Sequence, residues 1–155
     1  MQILVNLLLY RVRLLRKFSQ VVLDGKVSQL EAKVTDFYLP IIAGETVSLG
    51  GTIGATINLT PQTENGWNCV VFPCVEGDAF TINGRGGSST RLWGFVDSEI
   101  KLIAVSASSL TGTNLKVIAP VNSAYFVSNA NGSLSVLCRK RGSLTDVNER
   151  VETIE

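Results

Sequence analysis

Between residues 36 and 142 the chain is interrupted so often that a long helix has nowhere to form. Short β-branched or aromatic runs alternate with "AGE", "SLGG", "TPQTENG", "VEGD", "NGRGGSS", "VDSE", "SLTGTN", "APVNS" and "NANGS". Gly, Asn, Asp, Ser and Pro at these points favour turns through positive φ, a fixed φ, or side-chain bonds to the local backbone. Strands are predicted near 37–42, 45–49, 53–59, 68–74, 78–83, 90–97, 100–107, 114–119, 124–129 and 133–139. Turns about every 8–12 residues between strands this short indicate a β-sandwich or barrel.

The stretch "RLWGFVDSEIKLIAVSAS" carries the clearest alternation. On a strand Arg91, Trp93, Phe95 and Asp97 project to one face, and Leu92, Gly94 and Val96 to the other. The pattern resumes after "DSE" with Leu102, Ala104 and Ser106 against Ile103, Val105 and Ala107, as in a β-hairpin. Gly94 on the opposite face favours a core position for Trp93 and Phe95. Arg91 and Asp97, at the ends of the run, are then the groups free to meet a ligand.

Residues 1–35 have another texture. They contain no proline and one glycine, and Val5, Leu8, Val12, Leu15, Ser19 and Val22 recur at the 3,4 spacing of a heptad seam. Asp24-Gly25 interrupts the seam, and Val27, Leu30 and Val34 restart it in a shifted register. Leu4, Leu7, Leu9, Leu14 and Phe18 widen the apolar stripe beyond what a two-stranded coil hides. A coiled-coil stem of three parallel chains is the expectation, and an amphipathic helix packed on its own domain is the alternative. Residues 143–155, "SLTDVNERVETIE", read as a short amphipathic helix capped by Ser143, or as a frayed tail. Six basic and two acidic residues give 1–35 a charge of +4, seven of each balance 36–142, and 143–155 carries −3. The acidic end is therefore electrostatically suited to the basic stem of the same or a neighbouring chain.

The same charge layout argues against nucleic acid as a partner, since no basic field spans the chain. The apolar run "ILVNLLLY" is far short of the ~20 residues of a membrane span, and its basic residues follow it, so neither membrane insertion nor a signal peptide is expected. Histidine is absent, which removes the commonest general base and metal ligand. Cys69, Cys74 and Cys138 form no CxxC pair and are read as reduced, buried, small apolar residues, with no metal or cofactor expected. A glycosidase needs two carboxyl groups facing across a cleft. Among Glu45, Glu64, Glu76, Asp78, Asp97 and Glu99, the two aspartates read as turn formers instead, and no catalytic residue is assigned. "NGRGGSS" lacks the following helix and Lys-Ser/Thr of a phosphate loop.

Four segments in order, "VVFPCVEGDAFTING", "RLWGFVDSEIKLIAVS", "LKVIAPVNSAYFVSN" and "LSVLCRK", span Cys69 to about Arg139. Together they resemble a domain of bacteriophage tail-fibre, head-fibre and receptor-binding proteins of the gut-phage type, in particular through its "RxWxFxD" hairpin. The resemblance implies a jelly-roll-like β-sandwich head, often on a trimeric stem, with carbohydrate binding. It also implies location in the virion after assembly in the host cytoplasm, among other virion structural proteins. "VSLGGTIGATINLTP" has no counterpart in that pattern.

For a glycan ligand, the apolar face of a sugar needs an aromatic platform and its hydroxyl rim needs short polar groups. Those residue types point to Trp67 with Asn65, and to Arg85, Arg91 and Asp97 near the "NGRGG" and "DSE" turns. Three function classes follow: a non-enzymatic fibre protein touching host-surface glycan, a purely structural capsid or tail decoration, and a carbohydrate-binding module of a glycan-active enzyme.

Overall fold

The computed structural model describes residues 36–143. The stem seam of residues 1–35 and the helix expected from 144 onward lie outside the described residues.

The described residues form two antiparallel sheets and no helix. The nine strands are β1 (Phe37–Tyr38), β2 (Ile42–Thr46), β3 (Gln62–Pro73), β4 (Ala79–Arg85), β5 (Trp93–Val96), β6 (Leu102–Val105), β7 (Thr111–Ile118), β8 (Tyr125–Asn131) and β9 (Ser135–Arg139). One sheet has the order β1-β9-β4-β7 and the other β2-β3-β8-β5-β6. The β-sandwich expected from the turn spacing is therefore present.

Between the sheets lies a cluster built on Phe80, Phe95 and Phe126, joined by Val70, Ile82, Leu92, Val136 and Cys138. Phe80 of β4 stacks on Phe126 of β8 at 4.0 Å and 6°, and Phe95 meets Phe126 at 5.4 Å and 53°. Offset-stacked and tilted pairs of this kind add to the apolar area they bury.

The five-stranded sheet is buried on its other face too. There Cys69, Val96, Leu102 and Val127 pack against Val47 and Leu49, with Ile57 and Leu59 at the margin. The cover is the chain's own excursion between β2 and β3, residues 47–61. Two-sided burial explains why "CVVF" and "YFVSNA" read as continuous runs, since a sheet with no wet face loses the polar half of the alternation.

Several predicted boundaries are corrected. Residues 37–42 are two strands in different sheets, because Leu39–Ile41 with Pro40 carry the chain across the sandwich edge. Residues 53–59 are not a strand; they meet the hairpin through one isolated bridge, Thr56 to Lys101, and through backbone bonds of Gly54, Ala55 and Ile57 to Leu102 and Ile100. Their alternation arises because Ile57 and Leu59 pack inward on the sheet while neighbouring polar residues face water. Gln62–Gly66, read as turn punctuation, belongs to β3 and pairs in part with β2 (Thr46↔Gln62, Glu45↔Thr63). The hairpin strands shrink to Trp93–Val96 and Leu102–Val105. Leu92, just before the ladder, packs with Phe95 in the intersheet core rather than on the face of Val96.

Asp78 and Asp97 serve as turn formers. Asp97 Oδ1 accepts the backbone N–H groups of Glu99 (2.9 Å) and Lys101 (3.0 Å). Asp78 is fully buried and accepts from Val75 N (2.9 Å), Arg141 N (2.7 Å) and Lys140 Nζ. Near it, Arg139 makes a two-bond pair with Asp36, Nε to Oδ1 at 2.9 Å and Nη2 to Oδ2 at 3.1 Å. The start and the end of the sandwich thus meet at one pole, the proximal one. The distal pole carries the 86–92 and 106–110 connections and the start of β3.

The three cysteines are free and buried, as expected. Burial pushes the Cys69 thiol up from 9.0 to about 11, with the Glu45 carboxylate adding to the rise. Burial likewise pushes Cys74 and Cys138 up to about 12. A thiol whose folded pKa is raised contributes its full stability below the unfolded value and loses it as pH climbs through the folded one. These thiols should therefore cost stability between pH 9 and 12, and none should react with a disulfide reagent in the folded protein at pH 8. Titration with Ellman's reagent should show no reactive thiol in native buffer and three in denaturant. Rapid native labelling of any of the three would contradict this.

Candidate functional site

The distal pole gathers most of the residues expected to meet a ligand. Trp67 lies on β3 opposite Asn131 of β8, and Asn65 is two residues before it on the exposed part of that strand. Arg85 ends β4 opposite Thr111 and is exposed. Arg91 follows in the connection to β5.

Two of these residues are committed elsewhere. The Arg91 guanidinium donates from Nε to Ser88 O (3.0 Å) and from Nη1 to Ser106 O (2.8 Å). It also lies so close over Gly51 that a Cβ there would be 2.4 Å from Nη2. Arg91 therefore clamps the distal connections to the 47–61 excursion. Asp97 is at the far end of β5, in the proximal turn, so it is not part of the same cluster.

Trp67 is half-buried in a strand rather than exposed in a turn. Its ring edge stands against Gly87, where a Cβ would be 2.9 Å from Trp67 Cη2. A Cβ on Gly86 would be 2.4 Å from the Leu92 backbone nitrogen. The glycines of "NGRGGSS" are thus required by close packing of the connection. Trp93 is half-buried against the intersheet core and meets Phe95 at 5.8 Å and 57°. Trp93→Ala should accordingly destabilise by about 2–4 kcal/mol, toward the range of core aromatics. Trp67→Ala should lower the urea midpoint less than Trp93→Ala does; a larger drop for Trp67→Ala would reverse their assignment.

The excursion itself forms a groove of about 330 Å³ that no residue-type argument singles out. One wall is Ser48, Leu49, Gly50 and Thr52, and the other is Thr56, Asn58, Thr60 and Gln62 together with Ala55 and Ile57. The walls are held by the sheet beneath. Val47 and Leu49 are fully buried, Leu49 N donates to Ser89 O (2.9 Å), and Gly54 N donates to Leu102 O (2.7 Å). Ile57 N donates to Ile100 O (3.0 Å), a carbonyl presented by a residue at φ 62.

The latch is Asn129, wholly buried on β8. Its Oδ1 accepts Val47 N (2.8 Å), and its Nδ2 donates to Val47 O (2.9 Å) and to Arg91 O (3.0 Å). One amide side chain thus fixes the root of the excursion and the clamp residue together. The sequence signal was an Asn inside an apolar run, which periodicity reads as a strand end.

No acidic or basic residue lines the groove. Its chemistry is hydroxyls, side-chain amides and backbone groups above an aliphatic floor, suited to hydrogen-bonding a neutral polar ligand. Comparison with protein-family models, curated proteins and solved structures finds no match for this chain.

Proposed function

We propose that this chain is a non-enzymatic fibre protein of a bacteriophage virion. In this reading residues 1–35 form a trimeric helical stem, and a jelly-roll head engages host-surface glycan through its distal pole. The observation that carries it is the strand order. The sheet β1-β9-β4-β7 opposite β3-β8-β5-β6 is the order of an eight-stranded jelly roll, with β2 added at one edge. That architecture supports the head implied by the four fibre-like segments.

The carboxylates favour binding over catalysis. Asp36 pairs with Arg139, Asp78 with Lys140, and Glu99 with Lys101, while Glu64 accepts from Thr46 and Asp97 closes a turn. None lines the groove, where a hydrolase would need an opposed pair.

A second reading, a structural decoration protein of the virion, is favoured by exposed apolar residues toward the proximal pole. Val75, Ile118 and Val121 are 55%, 57% and 62% exposed, which suits contact with another protein. The two readings separate on an array of bacterial surface glycans probed with the full-length protein. Retention on a subset of glycans is expected. No retention, from protein that sediments as a folded trimer, would replace the glycan reading with the structural one. Sedimentation as a monomer at micromolar concentration would remove the trimeric stem.

A further inference from the structure

We infer that the groove in the 47–61 excursion is a saccharide subsite, for one or two rings of an uncharged glycan. The inference rests on the glycan reading and adds where the sugar sits and which sugars are refused.

The size is right for a small ligand. At about 330 Å³ the groove lies at the lower end of the usual range of ligand sites, about 300–1,000 Å³. Thr56, Asn58, Thr60 and Gln62 line one side, and two of them are fixed locally: Asn58 Oδ1 accepts Thr60 N (3.0 Å) and Gln62 Nε2 donates to Thr60 O (3.1 Å). A sugar chain presents its hydroxyls repeatedly along its length, and a row of hydroxyl and amide groups can both donate to them and accept from them. Ala55 and Ile57, half-buried in the lining, offer the aliphatic surface that the C–H face of a ring covers.

The site is also held ready. Asn129 and the Leu49–Ser89 bond hold one wall, and the Thr56–Lys101 bridge, the Ile57–Ile100 bond and the Thr46–Gln62 pairing hold the other, so little ordering remains for a ligand to impose. With no charged residue on the walls, nothing compensates the desolvation of a carboxylate or sulfate carried into the groove. Neutral saccharides should be preferred over acidic ones. Affinity per site should be weak, with three heads on one stem raising it through effective concentration.

The test uses the full-length protein, isotopically labelled, titrated with maltose, cellobiose, lactose and di-N-acetylchitobiose, and with glucuronic acid as the acidic probe. At least one disaccharide should shift the amide resonances of residues 48–62 at millimolar concentration, and glucuronic acid should not. Thr56→Arg places bulk and charge at an exposed wall position. It should weaken the disaccharide response at least tenfold with an unchanged melting temperature. Should Thr56→Arg lower the melting temperature, Thr52→Arg on the opposite wall provides the same blockade. Shifts centred on Trp67 and Asn65 and indifferent to both arginine variants would overturn the subsite while leaving the glycan reading intact. Retention on the glycan array without any response at 48–62 would do the same. Silence in both the titration and the array would remove the subsite and the glycan reading together.

Discussion

Phe126→Ala is expected to remove about 3–5 kcal/mol of stability, the range for deleting a fully buried ring. The ring contributes to two contacts at once, stacking on Phe80 and meeting Phe95 at a tilt of 53°, and these three are among the largest fully buried side chains. A domain of this size has about 5–15 kcal/mol in total, so the variant should be close to unfolding at ambient temperature. Urea denaturation should show a large drop in midpoint with an unchanged slope if the fold is kept. Phe126→Leu retains most of the apolar volume and should cost under about 2 kcal/mol. Equal losses for leucine and alanine would show that ring geometry, rather than volume, sets the cost.

Asn129→Ala should act on a different link. It leaves Val47 N, Val47 O and Arg91 O without the partners they have now. Each buried group so deprived costs about 1–3 kcal/mol, and part of that is recovered if the excursion lifts and lets water in. A net loss of about 3 kcal/mol is expected, concentrated locally. Hydrogen exchange should accelerate at Leu49, Gly54 and Ile57, whose N–H groups tie the excursion down, well before it does at Val127 or Phe80. Protease should cut within residues 50–58 while both sheets persist. Asn129→Asp keeps the acceptor for Val47 N but loses both donors and buries a charge, so it should be at least as destabilising. Uniform exchange across the domain would mean that the excursion and the sheets form one cooperative unit.

The sandwich was legible because its turns announce themselves chemically. "VEGD" and "VDSE" place an aspartate where a carboxylate can collect backbone N–H groups, and both do so. What was illegible depended on partners distant in sequence. The row Thr56 to Gln62 alternates like a strand, yet its inward residues answer to the sheet below it rather than to a neighbouring ladder. Gln62–Gly66 looked like loop because β3 there runs past most of its sheet, with no apolar face to bury. Trp67 and Asp97 both looked available from their turn-rich neighbourhoods. Gly87 half-covers the first, and the proximal turn engages the second. Asn129 bonds to a residue 82 positions away, a relation that no local pattern records.

The pairing of Asp36 with Arg139 spans 103 positions and has a consequence for biosynthesis. β1 pairs with β9, the last of the described strands to leave the ribosome. Until then the edge of β9's neighbour β4 and the half-built phenylalanine core remain uncovered. Closing so long a loop must precede the contacts that reward it, which slows folding relative to hairpin-rich domains. The nascent head is therefore expected to wait, with β3, β5, β6 and β8 able to assemble first, and to complete itself only after residue 139 emerges. Chaperone dependence and temperature-sensitive assembly should follow from that wait more than from the stability of the finished head.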